Sequence, residues 1–308
     1  MDGILIANKP AGPTSHDVVA LVRRLAATKR VGHGGTLDPF ASGVLPLFLG
    51  RATKVVEYHL GDRKGYRATV CFGASSTTDD LEGDLTPADG AAPSRDAVEA
   101  ALPRFQGEIS QRPPAFSAIK VPGRRAYAMA RAGETVELAD RQVTIDSLTV
   151  ASWDDADPDR PIAIIDVRCS AGTYVRALAR DLGAAVGSGA YLGALSRTAS
   201  GPFAIDAAIP LDDIRSAAAD GPAALEALLL PVDAGLDALP EVTVTPQEAT
   251  AIARGQFVRA GQPFGDAPIR VRDGDGSLIA IARYVDGRLA PDKVLVDAPG
   301  TAKEPARA

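Results

Sequence analysis

Strand-like and helix-like runs succeed one another along this 308-residue chain without settling into a strand–helix–strand repeat, and that order restricts the fold more than any single residue does. ILIAN (4–8) reads as a short buried strand, and Thr14 or Ser15 caps a helix in which Val18, Val22 and Leu25 recur at i, i+4 and i+7. KGYRATVCFG (64–73) alternates, with Tyr66, Val70 and Phe72 on one face and Arg67, Thr69 and Cys71 on the other. PIAIIDVRCS (161–170) is almost continuously apolar and predicts a central strand, followed by a helix over 173–187 that Gly187 closes. Residues 33–46 are rich in Gly and Pro and read as loop. The expectation is an α+β fold with a mixed, mostly antiparallel central sheet.

Charge is partitioned along the chain although the total is only −6. Residues 1–70 hold 10 basic and 5 acidic side chains, 71–110 hold 2 and 8, and 111–131 hold 5 and none. Segment 206–238 is acidic and rich in Ala and Leu, and reads as a helical connector. From 239 to 297, short β-rich runs alternate with Gly and Asp turns, which predicts a small β-barrel-like domain, and 298–308 is a polar, flexible tail. Two cysteines far apart and three histidines, His16, His33 and His59, offer no metal-ligand spacing and suit a reducing compartment. The apolar start is too short for a signal peptide, and no run reaches the ~18 apolar residues of a membrane span. The expectation is a soluble cytoplasmic monomer without metal or cofactor, with no membrane and no obligate protein partner.

The stretch Val31–Lys54, which contains that Gly- and Pro-rich loop, is the most unusual in the chain, so nucleotide binding is the first reading to test. It fails on spacing. Leu37 stands where a dinucleotide fingerprint needs its third glycine, and Gly50 is followed by Arg51 where a P-loop needs Lys. What remains is one carboxylate, Asp38, with His33 five residues earlier; from spacing alone Asp38-Pro39 reads as a turn former.

Five blocks in order carry a resemblance. Gly32-His-Gly-Gly-Thr-Leu-Asp38-Pro-Phe-Ala-Ser-Gly-Val-Leu-Pro46, continued by Leu49-Gly-Arg-Ala-Thr-Lys54, resembles the central motif of the bacterial tRNA pseudouridine-55 synthases, the TruB family. Asn8–Ser15, Lys64-Gly-Tyr66, Gln111–Lys120 and Gly172–Gly183 resemble further blocks of that family, and Phe116 stands where the family commonly has Tyr. The resemblance covers about residues 3–205, which it marks as a catalytic domain of the pseudouridine synthase type with an inserted RNA-gripping segment at about 111–145. The C-terminal unit resembles the family's PUA-type RNA-binding appendage less distinctly.

The resemblance implies isomerisation of uridine 55 in the tRNA T-loop, exchanging the N1–C1′ bond for C5–C1′ without redox carrier or group donor. Asp38 is then the nucleophile, toward C1′ or C6. Arg176 would pair with it and keep it ionised in a dry pocket, where desolvation alone would neutralise it. Lys9 would support the site near Tyr66, Tyr66 would stack on the base, and Tyr174 and Leu195 would line the pocket. His33 would fill the space left by a flipped base. Arg112, Lys120, Arg124, Arg125 and Arg131, with Tyr127 among them, would grip the RNA backbone. On the residues alone, Tyr66, Tyr174 and Leu195 also suit core packing, His33 a loop bonded to backbone, and the basic run a solvated face. Two rival functions are an RNA-binding or RNA-folding module with secondary chemistry, and a hydrolase with an aspartate nucleophile; the latter lacks metal ligands or a second carboxylate.

Overall fold

Thr14 and Asp17 close the first helix by mutual capping. The Thr14 hydroxyl accepts the Asp17 N–H, and the Asp17 carboxylate accepts the Thr14 N–H. The helix they start, α1 (Ser15–Leu25), buries Val18 and Val22 as its periodicity predicts and Val19 and Leu21 besides, while Leu25 is half-buried. The computed structural model describes residues 1–116 and 138–298, together with the backbone of 120–121 and 124–125. In chain order the strands and remaining helices are β1 (Gly3–Lys9), β2 (Val31–His33), β3 (Ser42–Leu49), β4 (Lys64–Phe72), β5 (Ala74–Ser76), β6 (Leu85–Pro87), α2 (Arg95–Ala101), β7 (Gly107–Gln111), β8 (Lys120–Val121), β9 (Arg124–Arg125), β10 (Arg141–Asp154), β11 (Ile162–Cys169), α3 (Val175–Ala185), β12 (Ala190–Ser200), β13 (Phe203–Ala204), β14 (Ile209–Pro210), α4 (Leu211–Asp220) and α5 (Pro222–Glu226). A second unit adds β15 (Glu241–Thr243), α6 (Pro246–Ala253), β16 (Val258–Arg259), β17 (Ile269–Arg272), β18 (Leu278–Val285) and β19 (Arg288–Val294).

The large sheet runs β14-β1-β3-β12-β4-β11-β10-β7, with β2 added to β3 and β13 to β12. It is a mixed, mostly antiparallel sheet: only β1–β14 and β3–β12 are parallel. The alternation predicted for β4 puts Ala68, Val70 and Phe72 into one core with Leu148, Ile165, Leu178 and Leu182, each worth about 1.5–3 kcal/mol for the larger side chains. β11 lies between β4 and β10, but its burial alternates. Ala163, Ile165, Val167 and Cys169 point inward while Arg168 is exposed, because antiparallel neighbours leave the other face to solvent.

The loop expected over 33–46 is shorter than its composition suggests, since 42–46 already belong to β3. Gly43 is what makes this possible. Its φ is +104°, and an added Cβ would lie 2.2 Å from the Arg197 carbonyl oxygen where β3 and β12 meet in parallel. The acidic segment is helical, yet it does more than connect: Leu211, Ile214 and Leu225 pack with Leu5, Val18 and Leu45, and β14 extends the sheet beside β1. The five-stranded second sheet, order β15-β17-β18-β19-β16, includes the helix α6, which the sequence reading did not anticipate. Its Ile281 and Leu295 share a cluster with Ile4, Ile6, Val44 and Phe48 of the large sheet. Among the described residues, no helix is long and apolar enough to cross a membrane.

Candidate active site

The chain between β2 and β3 carries Asp38 and is fastened from three sides. From α1, the Ser15 hydroxyl accepts the Leu37 N–H at 2.9 Å and donates to the Leu37 carbonyl at 3.1 Å. From the end of β1, Lys9 Nζ donates to the carbonyls of Pro10, Pro39 and Ala41 at 2.9, 3.2 and 2.5 Å. From β12, Arg197 donates through Nε to Val44, through Nη1 to Thr36 and through Nη2 to Gly35, at 2.7, 3.3 and 3.2 Å, all to carbonyl oxygens. Leu37 and Ala41 on either side are buried, so the Asp38 carboxyl, 38% exposed, projects from a backbone with little freedom.

Arg176, in the first turn of α3, is where that carboxyl finds its cation. Its Nη2 lies 3.0 Å from Asp38 Oδ2 and also donates to the Phe116 carbonyl at 3.0 Å. Its Nη1 reaches Asp80 Oδ2 at 3.1 Å and the Thr78 carbonyl at 3.2 Å. Asp80 is 2% exposed and also accepts from the Thr78 hydroxyl and the Glu82 N–H. One guanidinium therefore bridges two carboxylates, one deep in the protein and one facing a cleft.

That cleft, of about 290 Å³, is lined among others by Asp38, Tyr66, Tyr174, Arg176, Leu195 and Arg197. Tyr66 hydrogen-bonds Arg197; burial raises its pKa and Arg197 partly opposes this, so the phenol stays protonated. Tyr174 caps α3 through its backbone: its N–H donates to Gln111 Oε1 at 2.8 Å, and Gln111 Nε2 donates back to its carbonyl at 3.1 Å. The Arg141 guanidinium covers its ring at 5.6 Å. Leu195 sits on β12 between two register shifts, after Leu192 and after Arg197, which aim it and Arg197 toward the loop. Among the described residues, no group of three or more His, Cys, Asp or Glu could hold a metal ion.

Residues 23–175 match the N-terminal domain of the TruB family of pseudouridylate synthases, 176–237 the C-terminal domain of tRNA pseudouridylate synthase B, and 240–295 the C-terminal domain of pseudouridine synthase II TruB. The chain belongs to the TruB family. This TruB chain is 44% identical over 300 residues to tRNA pseudouridine synthase B of Bradyrhizobium diazoefficiens, covering 95% of itself and 85% of that protein. It is 42% identical to the protein of that name in Pseudomonas aeruginosa over 96% of both, and 44% to that of Thermobifida fusca over 94% and 97%. A chain of an H/ACA RNP bound to a substrate RNA shares its fold, with a TM-score of 0.73 and 24% identity over 96% of this chain and 86% of that one. A chain of a Cbf5-Nop10-Gar1 complex gives 0.71 and 26%, over 96% and 85%.

Of the residues singled out from sequence, the TruB chain brings Asp38, Tyr66, Tyr174, Arg176 and Leu195 to one cleft. Lys9 stands outside the cleft lining. It is fully buried and committed to three carbonyls, so it fastens the Asp38 loop and has no surface to offer a substrate; burial pulls its pKa to about 8, with Asp38 opposing. His33 stands outside the cleft lining, edge-on to His16 at 5.6 Å, and its Nδ1 accepts the Gly35 N–H. Burial lowers its pKa further than the neighbouring His16 and Arg197 do, so the ring is neutral. Arg112 is exposed and paired with Asp140 at 3.0 Å. Arg131, Tyr127 and the side chains of Lys120, Arg124 and Arg125 lie outside the described residues. Sequence reading missed Asp80 and Arg197; Phe116 contributes through its carbonyl, which any residue supplies.

Proposed function

We propose that this chain isomerises uridine 55 of the tRNA T-loop to pseudouridine, with Asp38 as nucleophile. The observation that carries the reading is the Asp38–Arg176 pair at 3.0 Å in a cleft walled by Tyr66 and Leu195. The relatives' name, tRNA pseudouridine synthase B, supplies the substrate class. The target base must leave the T-loop stack, at a cost of a few kcal/mol, to enter the cleft. Asp38 attacks C1′ or C6, the N1–C1′ bond breaks, the base turns so that C5 bonds to C1′, and the bond to Asp38 is released, which returns the free carboxylate. The C5 proton then departs and N1 ends protonated, so no atom is gained or lost and no cofactor is required.

Each neighbour has a defined task in this reading. Arg176 pairs with the carboxylate and fixes which oxygen faces the sugar. Tyr66 offers a flat ring and a protonated hydroxyl for proton transfer, and Leu195 closes the apolar wall. His33 assists extrusion of the base, and the basic segment from Arg112 to Arg131 holds the RNA backbone. Asp38→Asn keeps size and hydrogen bonding but removes the nucleophile. With an unmodified tRNA transcript it is expected to abolish single-turnover pseudouridine formation while affinity stays within about threefold, because phosphate and shape contacts dominate binding. Near-native turnover by Asp38→Asn would overturn the assignment and leave a tRNA-binding or tRNA-folding module.

A further inference from the structure

The face of β4 and β11 turned away from the core carries a second opening at the same end of the sheet. Register pairs Gly65 with Arg168 and Arg67 with Asp166, so these four share that face, while Tyr66 and Val167 share the other. Beside Gly65, β12 slips register between Arg197 and Ala199 and brings Thr198 close: a Cβ on Gly65 would lie 2.9 Å from the Thr198 hydroxyl. The missing side chain leaves a groove of about 310 Å³, with Arg63, Arg67, Arg168, Ser147 and Thr198 among its walls. It also shares Lys64 and Tyr66 with the Asp38 cleft, so the two openings adjoin across one strand.

The cations of this groove are unequally committed. Arg67 holds Asp166 through two bonds of 2.8 Å, and Arg63 holds Asp146 at 3.2 Å. Arg168 is exposed and has no ion-pair or hydrogen-bond partner among the described residues. A groove with a surplus of positive charge, an uncommitted guanidinium and two hydroxyls fits a phosphodiester, whose oxygens accept from Arg in a planar fork. Its place on the other side of the strand that carries Tyr66 says which phosphodiester.

We propose that this groove binds a backbone phosphate of the RNA strand whose target nucleotide occupies the Asp38 cleft, with Arg168 as the principal cation and Ser147 and Thr198 as hydroxyl donors. The inference rests on the RNA reading above and adds a contact outside the reacting centre. Arg168→Ala leaves no buried partner behind, so the fold is not at stake. Its affinity for an unmodified tRNA transcript is expected to fall about three- to tenfold near 0.1 M salt, with the slope of log K against log salt shallower by about 0.7–0.9, one phosphate contact. Arg168→Lys keeps most of the slope, and Arg95→Ala, which removes an exposed cation of α2, keeps both affinity and slope at the wild-type values. Equal affinity and slope for Arg168→Ala and wild type would overturn the proposal, as would lost affinity with an unchanged slope. Failure of the wild-type protein to bind or convert the transcript would overturn the RNA reading itself, which separates the two.

Discussion

Arg176 and Arg197 are both buried, both reach the Asp38 loop, and are satisfied in opposite ways. Arg176 meets two carboxylates, Asp38 and Asp80, and two carbonyls. Arg197 meets three carbonyls and the Tyr66 hydroxyl, and no carboxylate among the described residues. A carboxylate partner cancels charge, whereas a carbonyl partner orients a peptide and leaves the charge standing. The first arginine therefore holds the Asp38 carboxylate in an ion pair, and the second holds the shape of its loop while adding an uncancelled positive charge beneath it. That charge also repels Lys9, which is one cause of its lowered pKa.

The largest effect that tests this contrast is Arg176→Met. It strands Asp80 in the interior without a cation, so denaturant unfolding should show a loss of about 3–5 kcal/mol. Single-turnover rates should fall on the order of 10²–10³-fold. Adding Asp80→Asn should restore much of the stability and none of the rate; restoration of both would mean that Arg176 serves only the fold. Arg197→Lys comes next. It keeps the charge and loses the fork, which should cost about 1–3 kcal/mol and slow turnover about tenfold to a hundredfold through a displaced loop. A variant indistinguishable from wild type would show that Arg197 acts through charge alone.

The smallest effect is read from pH. Lys9 has a folded pKa of about 8, below its ordinary 10.5, so between those values the unfolded chain binds more protons. Stability from this residue is therefore lowest below pH 8 and rises toward pH 10.5. Wild type should gain stability relative to Lys9→Met across that window in urea titrations at stepped pH. Parallel curves would show that the ammonium is not strained by its burial.

Much of this could be read before any fold was known, and the omissions have a common cause. Asp38, Tyr66 and Arg176 fall in blocks whose residue order is distinctive, and β4 announces its two faces by alternation. Asp80 lies in TTDDLEGD, which reads as a solvated turn. Only the close approach of α3 turns one of its carboxylates inward, and a partner 96 residues away leaves no local signal. Lys9 is the converse case: its place in a block marks it as supporting the site, but its burial shows only once the loop from 34 to 41 folds over it and supplies carbonyls. The late end assigned to the glycine-rich loop has the same origin, since Gly43 fits the strand beside Arg197 only because it lacks a side chain.

The parallel pairing of β3 with β12 joins Ser42 to Ser196 and Gly43 to Arg197, and β1 pairs with β14 across a still longer stretch, Ala7 to Ile209. Contacts of such sequence separation are slow to form, because the entropy of closing a large loop is lost before any stabilisation returns. During synthesis, the first fifty residues emerge with apolar strands that lack their final neighbours until more than two hundred have been made. The half-site around Asp38 therefore waits for its own clamp, Arg176 and Arg197, until about two thirds of the chain has been made.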